Sequence, residues 1–185
     1  MDAITALHSR VSYPSLDEPA PQGEDREAIF QAALRAPDHA AMRGWRFYCV
    51  EGERRKVLGR KMLAAALRND PELPEAAQRK QLNAPLRGPL LVIATVHVRE
   101  HPNVPEIEQW LSTGAAVNNM LIAAHALGYG AMWRTGALSF DRSFMTDIGL
   151  APEQHIVGFI YFGSVSGAVK SPQVHATDDF FEDWL

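Results

Sequence analysis

The sequence predicts one mixed domain, α/β or α+β, layered around a sheet. Apolar, strand-like runs near 45–50, 90–98, 129–134 and 155–163 are separated by segments with helical periodicity. The 185 residues suffice for one sizeable core, and no internal repeat or low-complexity tract divides them, so 1–185 reads as a single domain. Hydrophobic residues make up 46% and charged residues 22%, the balance of a globular chain rather than a disordered one.

Asp2 can cap a short helix through about Ser9, with Ile4 and Leu7 on one face. "YPSLDEPAP" is too rich in proline to be helical throughout. "GEDREAIFQAALRA" carries an apolar stripe of Ile29, Phe30, Ala33 and Leu34, has Glu24 and Asp25 in its first turn, and should stop at Ala36 before Pro37. "WRFYCVEG" alternates, with Trp45, Phe47 and Cys49 on one side and Arg46 and Tyr48 on the other, as a half-buried strand does. Gly52 turns the chain into a helix over 53–69. The polar, Pro-broken stretch after it predicts a mobile surface segment with a short helix near 74–82. "LLVIATVHV", 90–98, is almost wholly apolar and should be covered on both faces. Pro105 opens a long helix to about Leu127, apolar nearly all round and therefore central, with Gly114, Ala115 and Ala116 permitting close backbone approach. "YGAMWRTGAL" reads as a short strand and turn, Ser139 as the cap of a short helix ended by Gly149, and "HIVGFIYFGS" as the last strand. Phe180, Phe181, Trp184 and Leu185 crowd the tail with more apolar surface than a free end would carry.

Several function classes are disfavoured. A net charge of -4 gives no footprint for non-specific nucleic-acid binding. The single cysteine, Cys49, rules out an internal disulfide and reads as a buried, inert thiol. No stretch approaches the ~20 apolar residues of a membrane span, and "MDAITALHSR" does not fit a secretory signal, so a cytoplasmic protein is expected. Seven histidines are scattered, and "HVREH" places His97 and His101 at the end of a strand rather than on a helix; no metal site is expected. His125, inside the apolar helix, reads first as a satisfied core histidine. Neither GxSxG, GxGxxG nor GxxxxGK[ST] occurs, and the adjacent Asp38 and His39 cannot form a relay without a third partner.

What remains is a set of polar groups at element ends. Arg10 and Ser12 follow the first helix, Arg35 and His39 the second, and Trp133, Arg134 and Thr135 end a strand. Singly, each charged member is an ordinary surface residue. Together they are the residue types that grip a phosphorylated cofactor, since arginine binds phosphate in a bidentate fashion and a hydroxyl adds a hydrogen bond. The charge-rich stretch "LRAPDHAAMRGWRFYCVEGE" lies where the second helix turns into the sheet.

These segments carry a resemblance that runs nearly end to end. "ALHSRVS", "EPAPQGE", "LRAPDHAAMRGWRFYCVEGE", "WLSTGAAVNNMLIAAHALGYGAMWRTGAL" and "IVGFIYFGS" together resemble the small bacterial branch of the FMN-dependent nitroreductase family. The resemblance implies an α+β sandwich with a central, mainly antiparallel sheet flanked by helices. It also implies a tight, domain-swapped homodimer with FMN in a cleft at the subunit interface. Residue by residue, Arg10, Val11 and Ser12 match the N-terminal FMN-binding triplet, Arg35 and His39 the "RAPDH" cofactor positions, and Trp133, Arg134 and Thr135 the "WRS"-type segment. A nicotinamide site in the same branch maps to Ala123, Ala124, His125, Ala126, Leu127 and Gly128. The implied reaction is ping-pong: NAD(P)H as co-substrate, FMN as carrier, and a small-molecule acceptor such as a nitroaromatic or quinone. No catalytic side chain is implied, because solvent can supply protons. Neither nucleic acid nor membrane enters as a partner.

The chain departs from the family pattern in three places. The triplet is usually Arg-Arg-Ser, whereas Val11 stands here; "YPS" replaces a further arginine; and Arg43-Gly44 replaces a glutamine before Trp45. Lys170, after the turn "GSVSGAV", is the candidate that restores the missing cation. Two alternatives stay open: a flavin-binding carrier or sensor with little turnover, and a sibling flavin reductase acting on another substrate class.

Overall fold

The computed structural model describes residues 1–168 and 170–184. Ten main elements follow one another: α1 (Ala3–Ser9), α2 (Gly23–Ala33), β1 (Trp45–Glu51), α3 (Glu53–Asn69), α4 (Glu75–Asn83), β2 (Leu90–His97), α5 (Glu106–Ala126), β3 (Gly130–Arg134), α6 (Arg142–Asp147) and β4 (Gln154–Gly163). The strands form one sheet in the order β1-β2-β4-β3, and every pairing is antiparallel.

β2 explains the two-layer design. Its side chains alternate across the sheet, and both sets are apolar. Leu90, Val92 and Ala94 join Ile29, Ala33, Val117 and Met120 under α2 and α5. Leu91 and Ile93 join Leu58, Met62 and Phe144 under α3 and α6. Only the terminal His97 escapes full burial, as the unbroken apolar run predicts. β1 is an edge strand and follows its predicted alternation: Trp45, Phe47 and Cys49 face the α5 layer, while Arg46 and Tyr48 are exposed. The edge position leaves Cys49 half-buried rather than fully buried.

Local expectations shift at three helices. α2 ends at Ala33 rather than Ala36, and Leu34–Ala36 continue in tighter turns. α6 is capped by Asp141, whose carboxylate accepts the Phe144 N–H at 3.0 Å; Ser139 is buried in the preceding 3₁₀ turn. α5 is one-sided. Gln109, Ser112, Thr113, Ala116, Val117, Met120, Leu121 and Ala124 are buried, whereas Ile107 and Leu111 are 61% and 64% exposed. No other described element covers that outer face. Phe180, Phe181 and Trp184 are likewise exposed, at 69%, 78% and 91%; Leu185 and Val169 lie outside the described residues. Among the described residues no helix is long and apolar enough to cross a membrane.

Candidate functional site

The loop after α1 runs beside the β3 edge. Tyr13 N–H donates to the Ala131 carbonyl at 3.2 Å, and Leu16 N–H donates to that of Arg87 at 2.8 Å. Arg10, the C-cap of α1, is extended, and its Nη1 reaches Ser12 Oγ at 3.4 Å. Lys170 Nζ donates to the Ser12 carbonyl at 3.2 Å and sits 5.5 Å from the Tyr13 ring centre. Arg10, Ser12 and Lys170 thus share one corner. Val11 turns the other way and packs against the buried cluster that holds Tyr13 and Leu16, which explains an apolar residue at that position.

His125 closes the same corner. Ser9 Oγ lies 2.8 Å from its Nε2 and 2.6 Å from the Thr5 carbonyl. The hydroxyl proton goes to the carbonyl, so Ser9 Oγ accepts from Nε2–H and the neutral tautomer is set. Burial holds His125 below the ordinary histidine range, and Arg10 adds to the shift. Of the nicotinamide candidates, Ala124 is wholly buried, Ala123, His125 and Ala126 are half-buried, and only Leu127 and Gly128 lie exposed beyond the helix end.

At the other end of β3, Trp133 and Arg134 point to opposite faces. The Trp133 indole lies against Gly114 and Gly158 and donates to the Val157 carbonyl at 3.2 Å, so it wedges α5 onto the sheet. Arg134 enters a cavity of about 310 Å³ that also takes in Thr135, Lys80, Gln81, Arg87 and Tyr161. Among the described residues three cations and no carboxylate line it, and Arg134 Nε is buried without a hydrogen-bond partner. Burial pulls the Arg134 guanidinium down, Arg87 adds to this, and Tyr161 opposes it. Burial pushes the Tyr161 phenol up against the pull of Arg87 and Arg134. Such a cavity favours an anionic or electron-rich group that offers acceptor atoms. Sequence reasoning missed Lys80, Gln81, Arg87 and Tyr161.

His39 lies elsewhere, and Arg35 is exposed beyond the end of α2. His39 Nδ1 is 2.6 Å from Glu108 Oε2, in the first turn of α5. Asp38 accepts the Arg43 N–H at 2.7 Å and the Ser112 hydroxyl at 3.4 Å. Glu108 and His125 are 17 positions apart in α5, or about 25 Å at the helical rise. The chain therefore unites Arg10, Ser12 and Lys170 beside β3, whose far end carries Trp133–Thr135, and holds the His39–Glu108 pair at the opposite end of α5. Among the described residues no group of three His, Cys, Asp or Glu side chains gathers as a metal site.

The model of the nitroreductase family matches residues 8–164, and the chain belongs to that family. It is 38% identical over 164 residues to the Escherichia coli K12 protein named "Putative NAD(P)H nitroreductase YdjA", covering 89% of this chain and 88% of that protein. Among solved structures, a nitroreductase-like family protein from Bacillus cereus superposes with a TM-score of 0.82 at 22% identity, covering 100% of this chain and 96% of the other. A nitroreductase with bound FMN from Bacteroides fragilis superposes at 0.74 with 19% identity, covering 99% and 100%. The expected α+β fold with an antiparallel sheet is the one observed.

Proposed function

We propose that the protein is an FMN-dependent oxidoreductase that moves hydride from NAD(P)H to a nitroaromatic or quinone-like acceptor in a ping-pong cycle. The observation that carries this is the buried, unpartnered Arg134 Nε in a three-cation cavity at one end of β3, with the Arg10–Ser12–Lys170 corner beside the other. A phosphate fits the corner, and a flavin ring, which offers acceptor atoms and gains negative charge on reduction, fits the cavity. FMN bound there supplies the hydride chemistry. The protein's own part is to orient and to set charge. Arg10, Ser12 and Lys170 hold the phosphate, Arg87 and Arg134 favour the electron-rich ring, and Trp133 braces the strand beneath. Leu127 and Gly128 are the parts of the nicotinamide segment open to a nucleotide. A cytoplasmic location goes with this reading.

The same reading makes the protein a homodimer whose site is shared. His39, held at the far end of α5, lies too far from this protomer's corner to serve it, but a partner packed antiparallel along the outer face of α5 would present its own Arg35 and His39 there. Ile107 and Leu111 supply the apolar surface, and Gly114 and Ala115 the closest approach. The exposed aromatic tail would cross to the partner, consistent with a swapped arrangement. The test is the visible spectrum and mass of the purified protein, followed by NAD(P)H oxidation with a quinone or nitroaromatic. A flavin band, FMN on extraction, twice the 20.5 kDa chain mass by light scattering, and acceptor-dependent turnover are expected. A colourless monomer that takes up no FMN overturns the proposal; bound FMN without turnover turns it into a carrier or sensor.

A further inference from the structure

We infer that the cleft where α5, α6 and the start of β4 meet is a second binding site, for a small aromatic carboxylate. The cleft has a volume of about 440 Å³ and is lined by Trp110, Ser139, Phe140, Arg142, Met145 and His155, a size usual for small-molecule sites. One chain supplies all six residues, so the inference does not depend on the shared-site reading. None of them belongs to the phosphate corner or to the Arg134 cavity.

Ser139 is the observation that points to a ligand. The residue is 1% exposed, and its backbone N–H is spent on the Gly136 carbonyl at 2.9 Å. Its Oγ lines the cleft, buried and without a hydrogen-bond partner. A buried hydroxyl left unpaired costs stability, and native structures hold few of them. Among the described residues only Arg134 Nε shares this state, and that atom faces the other cavity.

The polar groups beside Ser139 select an anion. Arg142 donates through Nη1 to the Ala151 carbonyl at 3.1 Å, and through Nη2 to the Gln154 carbonyl at 2.7 Å and to His155 Nδ1 at 3.2 Å. Among the described residues its Nε and one Nη1 hydrogen have no acceptor, and no carboxylate pairs with it. Arginine only donates, so His155 Nδ1 accepts and the ring hydrogen sits on Nε2. Burial holds His155 below the ordinary histidine range, Arg142 adds to this and Glu106 opposes it. Glu106 accepts the Trp110 indole N–H at 3.0 Å and does not line the cleft. The cleft therefore offers N–H donors from Arg142 and His155 together with one hydroxyl, a set that a carboxylate satisfies.

The walls select a flat ring. The Trp110 and His155 rings lie 5.4 Å apart, tilted by 44°, and Phe140 is 75% exposed. A ring placed against Trp110 and Phe140 would take that aromatic surface out of water.

The test is a titration of the purified, flavin-loaded protein with benzoate, followed by calorimetry and by the tryptophan indole N–H resonances. Benzoate should bind once per chain and shift the Trp110 indole, identified by its loss in Trp110→Phe, while the Trp133 indole and the flavin band stay in place. Benzylamine, the cationic counterpart, should not bind. Ser139→Ala should keep or raise the melting temperature, because it removes an unpaired buried hydroxyl, and should weaken benzoate about three- to tenfold. No binding at millimolar benzoate overturns the inference. So does binding that moves the flavin band or the Trp133 indole, that benzylamine reproduces, or that Ser139→Ala leaves unchanged. A protein that carries no flavin would overturn the proposed reaction, but the same titration would still decide this site.

Discussion

Arg10 is exposed to a simple test because it caps a helix end and supports no core. Arg10→Ala should lower FMN affinity about tenfold to a hundredfold, the worth of a charge-assisted hydrogen bond of roughly 1.5–3 kcal/mol, with the melting temperature little changed. Lys170 and Val11 make a pair. Lys170→Ala should weaken FMN binding most at low salt, where screening is least. Val11→Arg should lower the melting temperature without tightening FMN, because the side chain faces the Tyr13–Leu16 cluster; tighter binding would mean that the arginine escapes to the corner. His125 gives a pH dependence. Its native pKa is depressed by burial and Arg10, so the unfolded chain binds more protons and stability falls as pH drops below about 6.5. In flavin-free protein, His125→Gln should therefore gain on the wild type in melting temperature between about pH 7 and 5, and no relative gain would show that His125 does not carry the effect. That Arg10 and Ser12 follow a helix and Trp133 lies on a strand was legible in sequence. That Lys80, Arg87 and Tyr161 share a cavity with Arg134 was not, because only the packing of α4, the turn after it and β4 around the end of β3 brings them together.

Periodicity revealed the elements well where one physical demand dominated. β2 had to be apolar on both faces, and the alternation of β1 set its two sides. It failed where two demands look alike in one dimension. An apolar outer face on α5 reads the same whether its own chain or another copy covers it, so the helix was expected to be central. Ser139 and Asp141 are both good caps, and the intervening turn decided between them. The β3–β4 ladder carries a sharper constraint: a methyl group added at Gly158 would meet the Trp133 indole and the Arg134 carbonyl. Gly158→Ala should lower stability by about 1–3 kcal/mol through overpacking, a drop of several degrees in melting temperature. Trp133 emission should shift with it; an unmoved spectrum would mean that the sheet absorbs the methyl without displacing the indole.

At the level of the whole molecule, the length of α5 is what would divide the proposed site between two chains. The corner at its C-terminal end and the dyad at its N-terminal end are about 25 Å apart, so each chain would bring one half of two different sites. That division has a genetic signature. A chain carrying Arg10→Ala and a chain carrying His39→Gln should each be weak as a pure dimer. When the two are unfolded together and refolded, the mixed dimers should place both lesions in one site and leave the other free of damage. Half of the sites in the mixed dimers, about a quarter of all sites after random pairing, would then regain wild-type turnover, whereas mixing without subunit exchange should restore nothing. Two defects that complement each other when carried on different chains, while the same two on one chain paired with a wild-type partner leave a lesion in each site and restore nothing, would make this a protein in which the working unit is the pair rather than the polypeptide.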